Sequence, residues 1–239
     1  MACFAPNPAS GRYFSLFMEE MGRDRVMIAP DYPGLGASDA PPAMPDMSGY
    51  TDAMAAAQDA QGCGAPDGGK SDDCGYHTGA LVAIELAVTR PDLVRKVVLM
   101  GIPYYDAAGR EAQYRKNVVE KPLQEDLSSL QGSWDFAVTG REKGVTLERA
   151  YYNFVDVLKA GDRRTWAYHA VFTYPAEERA PLVGQDVLIL NTHGSLEEET
   201  RALAPLFRNA KLVEIPELHH GIFDVGPDIL AGHARPFLD

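Results

Sequence analysis

Short apolar runs alternate along this chain with longer stretches in which apolar residues recur every three or four positions. Residues 25–30 (Arg-Val-Met-Ile-Ala-Pro) form a β-branched run closed by proline, with the turn-rich stretch 31–38 behind it. Residues 96–101, 186–191 and 211–216 are three further runs of the same kind. Between them, 15–23, 51–61, 78–90 and 197–207 carry apolar residues at helical spacing. Strands without polar alternation are covered on both faces, so the pattern predicts an α/β fold: a mostly parallel sheet flanked by helices.

Two regions depart from this rhythm. Residues 109–178 are helical in pattern, rich in Tyr, Trp and Phe, and contain no strand-like run. They read as a helical insertion over one end of the sheet, dividing the chain into a first core part (1–108), an insertion (109–178) and a second core part (179–239). Residues 62–74 (Gly-Cys-Gly-Ala-Pro-Asp-Gly-Gly-Lys-Ser-Asp-Asp-Cys) lie where a central strand is expected, yet hold almost no β-former. Either this is a surface loop that interrupts the sheet, or local propensity is overridden.

Composition narrows the function classes. The chain has 239 residues with a net charge of −12, 46% hydrophobic and 23% charged residues, as expected of a globular domain. The acidity argues against nucleic-acid binding, which favours a basic face. No apolar run reaches membrane-span length and no secretory leader stands at the N-terminus, so a cytoplasmic protein that binds no membrane is expected. Cys3, Cys63 and Cys74 do not have the spacing of a disulfide framework or a metal ribbon. The composition is compatible with a homo-oligomer.

The motif that carries chemistry is Gly75-Tyr-His-Thr-Gly79, followed at once by the helical run 80–87. G-x-Z-x-G between a strand and a helix resembles the nucleophile elbow of the α/β-hydrolase superfamily. The resemblance extends over nearly the whole chain. Residues 29–39 (Ala-Pro-Asp-Tyr-Pro-Gly-Leu-Gly-Ala-Ser-Asp) look like the family's D-x-P-G-x-G-x-S loop, and 90–99 like its helix-to-strand connection beyond the elbow. Residues 216–221 (Pro-Glu-Leu-His-His-Gly) look like the segment bearing its catalytic His. Asn7 stands where the oxyanion loop is expected, and the family's first two strands and most of its third would be missing or trimmed.

The resemblance implies a cap over residues 109–178 and assigns roles by position. His77 stands at the nucleophile position, where relatives have Ser or Asp. His220 takes the place of the catalytic His, with His219 beside it, and Asp106 that of an orienting acid used by some members. Ser195 and Glu197 are alternative acids near the usual acid position, and Thr78 with Asn7 would supply oxyanion donors. Tyr76, Trp166, His169 and His193 would line the substrate pocket.

His77 itself leaves several readings open. A neutral imidazole can attack an acyl carbon, activate a water, or join His193 and His220 around a metal. Alternatively the pocket only binds. Asp106 can equally cap the next helix, and the insertion's aromatics can simply pack a small core. The expectation is a hydrolase of a small ester, lactone or related carbonyl compound that needs no cofactor. The alternatives are a non-catalytic small-molecule-binding pseudo-hydrolase, or a lyase or metal-assisted hydrolase on the same fold.

Overall fold

The apolar runs pair into a five-stranded, wholly parallel sheet in the computed structural model, which describes residues 1–63, 69–119, 122 and 124–239. In chain order the elements are β1 (Ala2–Phe4), α1 (Ser15–Met21), α2 (Met47–Ala60), β2 (Ser71–Tyr76), α3 (Thr78–Thr89) and β3 (Val94–Met100). Among the described residues, the α-helices α4 (Ala107–Asn117), α5 (Ser128–Trp134), α6 (Leu147–Ala160), α7 (Trp166–Thr173) and α8 (Ala176–Arg179) then intervene. The chain closes with β4 (Asp186–Thr192), α9 (Glu197–Leu203), β5 (Ala210–Ile215), α10 (Ile222–Val225) and α11 (Pro227–Leu238).

Alternation along the strands builds two cores, because successive side chains point to opposite faces. Phe4, Val97, Leu99, Val187 and Ile189 meet Tyr50 and Met54 of α2 and Leu81 and Ile84 of α3. Cys3, Cys74, Val98, Met100, Leu188 and Leu190 face Phe17 of α1, Phe223 of α10 and Leu230 of α11. The strand order is β1-β2-β3-β4-β5, and Ile28 bridges Ala2 on the free side of β1. The chain therefore steps outward from β1 and returns to lay β2 on its other flank. Such a reversal opens a crevice beyond the carboxyl ends of the two strands, the usual ligand position in open α/β sheets.

Two strand expectations change. The run 25–30 is not a strand: it contributes one bridge, with the Cys3 N–H donating to the Ile28 carbonyl at 2.8 Å and the Ile28 N–H to the Met1 carbonyl at 2.9 Å. Val26 is 79% exposed at this edge, and Pro30 has no N–H to extend the ladder. In the weak segment 62–74, residues 71–74 do form a strand, and 64–68 lie outside the described residues. β2 is buried along its length and paired on both sides, so backbone ladders override the poor β propensity of Ser71, Asp72 and Asp73. Asp72 takes a bidentate contact from Arg95 at 2.8 and 2.6 Å. Asp73, fully buried, accepts from the Gln58 amide of α2 at 2.7 Å.

Candidate active site

At the crevice, β2 turns sharply into α3 through His77, the one non-glycine residue with positive φ among the described residues (φ 52°, ψ −116°). Holding a bulky residue there requires support, of order 1–3 kcal/mol. Its N–H donates to the Met100 carbonyl at 3.2 Å, and its carbonyl accepts from the Ala80 N–H at 2.9 Å. The flanking glycines are sterically required. A Cβ at Gly75 would come within 2.3 Å of the Gly79 carbonyl oxygen, and one at Gly79 within 1.8 Å of the Phe4 carbonyl oxygen. The spacing G-x-H-x-G is thus what lets β2, α3 and β1 approach closely enough to form this turn.

The imidazole of His77 lies against the backbone of Gly101, where a Cβ would meet its Cδ2 at 2.6 Å and its Nε2 at 2.9 Å. The Tyr76 ring lies beside it, with centroids 4.0 Å apart. Tyr76 stacks in turn on Tyr13 and packs edge-on against Phe223. Burial, and to a lesser degree the electrostatic influence of His220, pushes the His77 pKa down to about 4. The ring is therefore neutral at pH 7. Its side chain makes no capping bond to α3, and the first N–H groups of a helix, here those of Thr78 and Gly79, have no intrahelical acceptor.

The loop after β1 forms the other wall, and helical segments between β3 and β4 fasten it. The Asn7 side-chain amide donates to the Arg164 carbonyl at 2.8 Å, while its Oδ1 is buried with no hydrogen-bond partner among the described residues. Asp156 of α6, itself buried, accepts from both the Ser10 N–H (2.8 Å) and the Ser10 hydroxyl (2.7 Å). The Gly11 N–H donates to Asp31 of the 31–38 turn at 2.7 Å. One of the two N–H groups of the Asn7 side-chain amide is thus committed to Arg164, and its Oδ1 is an open acceptor. Asp156 carried no signal in the sequence beyond being one acid on a helix.

His220 sits exposed in the loop after β5 and acts electrostatically on His77. The next residue, Gly221, has φ 61°, and a Cβ there would meet Val145 at 2.7 Å, so the segment before α6 shapes this loop. The acid candidates are engaged elsewhere. Asp106 is exposed and caps α4, accepting from the Gly109 N–H at 2.7 Å. Glu197 pairs with His193 at 2.7 Å and with Arg201 at 2.8 Å, and Ser195 is exposed. No carboxylate hydrogen-bonds His220 among the described residues. His193 packs edge-on against His219, whose Nδ1 lies 3.3 Å from the His193 carbonyl oxygen.

Of the expected pocket residues, Tyr76 lies beneath His77 and Trp166 is half-buried at the start of α7. His169 contacts the Tyr114 hydroxyl at 3.1 Å, and its influence helps hold the Asp46 carboxyl below the ordinary range, after hydrogen bonds from Gly49 and Ser48. Among the described residues no group of three or more His, Cys, Asp or Glu is arranged to hold a metal ion, so His77, His193 and His220 do not form the ligand set considered above. A separate open groove of about 750 Å³ runs between the 29–39 loop and α2, away from His77.

No family model matches the chain, and no curated protein does. Solved structures are similar throughout. An esterase from Thermogutta terrifontis shares 19% identity over 99% of this chain and 88% of its own, with a TM-score of 0.80. A hydrolase from Pseudomonas aeruginosa PA01 shares 16% over 99% and 89% (TM-score 0.79). An enol-lactonase from Burkholderia xenovorans LB400 shares 15% over 99% and 90% (TM-score 0.73). The chain has the α/β-hydrolase fold, and no helix among the described residues is long and apolar enough to cross a membrane.

Proposed function

We propose that this chain hydrolyses a small ester or lactone, with the turn at residues 75–79 as its nucleophile elbow and residues 109–178 as its cap. The observation that carries this reading is the strained His77, held neutral against Tyr76 and Gly101 at the crevice and within electrostatic reach of His220. A base with a pKa near 4 takes a proton from water poorly at neutral pH, which favours His77 as the nucleophile over a general base. The unprotonated ring nitrogen attacks the acyl carbon, and the oxyanion is met by the N–H groups at the start of α3. The acyl–oxygen bond breaks, and His220 passes a proton to the leaving alkoxide. His220 then takes a proton from an attacking water, the carbon–nitrogen bond breaks, and neutral His77 is restored with the free acid.

Turnover of p-nitrophenyl acetate and of a short lactone panel, set beside a His77→Ala variant, tests this reading. At least a hundredfold lower kcat in the variant supports it; a variant as active as the natural chain, or a natural chain inactive on the whole panel, overturns it. A second reading, a binding protein on the same fold, is favoured by one observation: Asp106 and Glu197 are both engaged away from His220. Esterase activity that arises only in a His77→Ser variant would support that second reading.

A further inference from the structure

Helix α6 has two faces of opposite character. One is fastened to the core: Asp156 holds Ser10, and Arg149 binds Asp224 at 2.6 Å and the Ser15 hydroxyl at 2.6 Å. Tyr152 on the same side carries the Arg12 guanidinium 3.2 Å above its ring. The other face is apolar and half-exposed. Leu147, Tyr151, Val155 and Leu158 are 51, 47, 37 and 46% exposed. At 3.6 residues per turn these four fall within an arc of about 80°. They are four of the ten exposed large apolar residues among the described residues, and Phe136, 79% exposed, is a fifth, in the turn that follows α5. Scattered exposed apolar residues need no explanation, but a stripe does. The bonds on the opposite face prevent the helix from rolling this stripe inward.

We infer that α6 is the contact surface of a homodimer, packed antiparallel against α6 of a second copy. The pattern is self-complementary about the helix midpoint. A twofold axis there sets Leu147 against Leu158 of the second copy and Tyr151 against Val155, the isologous arrangement that a twofold dimer requires. Charge agrees with the same register. Glu148 and Lys159 flank the stripe on one side at opposite ends of the helix, both exposed and without an ion-pair partner among the described residues. In an antiparallel pair each Glu148 meets the Lys159 of the other copy, whereas a parallel pair would carry the two charged flanks to opposite sides of the contact and leave them unpaired. The macrodipoles favour the antiparallel pair as well. Tyr151 is held edge-on by Trp134, ring centroids 5.2 Å apart, and so forms an anchor whose orientation is set before contact. A contact centred on one 14-residue helix is small, so the dimer is a weak one, with dissociation in the micromolar range.

Sedimentation velocity of the whole chain from about 1 to about 200 μM brackets that range. The expected result is a shift from monomer to dimer across it, abolished by Leu158→Glu while the thermal unfolding midpoint is kept. Lys159→Glu alone weakens association about tenfold, as does Glu148→Lys alone, and the double exchange restores it to within about threefold. A natural chain monomeric throughout, or a Leu158→Glu variant that still dimerises, overturns the surface. A double exchange as weak as its two parents overturns the antiparallel register.

Discussion

β2 and β4 are interior strands of one sheet, buried on both faces, yet they are built from opposite materials. β4 runs Val187, Leu188, Ile189 and Leu190 between the two apolar cores. β2 runs Ser71, Asp72 and Asp73 before Cys74, and every one of them is buried. Large apolar side chains in β4 each contribute on the order of 1.5–3 kcal/mol by leaving water. β2 gains little of this, and its position follows from ladders on both sides, the Arg95–Asp72 pair and the glycine contacts around His77. Asp73 Oδ2 and Gln58 Oε1 are both buried acceptors without a partner among the described residues. A proton on Asp73 turns one of its oxygens from an acceptor into a donor. Burial, offset in part by Gln58, Ser71 and the N-terminal ammonium, pushes its pKa up to about 8. A polar strand can hold the centre of a sheet when its carboxyl group is neutral; what it loses is stability rather than topology.

Exchanging the materials gives the largest effect. Ile189→Asp puts an acid on the α2 and α3 side of β4 with no glutamine provided for it, and is expected to lose ~4 kcal/mol or more in urea unfolding. A loss below ~1 kcal/mol would make the two strands equivalent hosts. Gln58→Leu removes the partner from β2 and leaves Asp73 without its donor, an expected loss of ~2–3 kcal/mol by the same measurement.

The pH dependence is next in size. Folded Asp73 keeps its proton up to about pH 8, against 3.8 for an ordinary Asp, so its contribution falls as pH rises through that window. His77 does the reverse. Its pKa drops from 6.5 to about 4 on folding, so its contribution is complete above pH 6.5 and is lost as pH falls toward 4. Between 4 and 6.5 the two slopes oppose each other. Between 6.5 and 8 Asp73 acts alone, and stability declines by up to ~1.4 kcal/mol per pH unit. Unfolding curves at the two ends of this upper window should show that decline in the natural chain and none in Asp73→Asn; equal declines would remove Asp73 as its source. The smallest effect belongs to the double variant Asp73→Val with Gln58→Leu. Both polar groups leave together, and stability should stay within ~1 kcal/mol of the natural chain or rise.

The fold was largely legible because apolar period is a local property. The runs at 96–101, 186–191 and 211–216 became β3, β4 and β5 with ends shifted by a residue or two. Asp106 was legible both ways, and its capping is the local outcome: a carboxylate three residues before Gly109 reaches that N–H without help from the rest of the fold. The 25–30 run misled because β-branched composition reports fitness for a sheet and not whether neighbouring strands pair along its length. Asp156 was invisible because its partner, Ser10, lies 146 residues away.

By itself, the sequence determined the layered α/β architecture, the helices, and the close strand-to-helix turn that only glycines at 75 and 79 permit. Those follow from periodicity and from sterics within a few residues. The tertiary structure alone decided that Ser71–Tyr76 is a strand, that His220 acts electrostatically on His77, that Glu197 pairs with His193, and that one apolar face of α6 is left half-exposed. Each of these depends on which distant segments share a ladder or a core, and no local spacing encodes that.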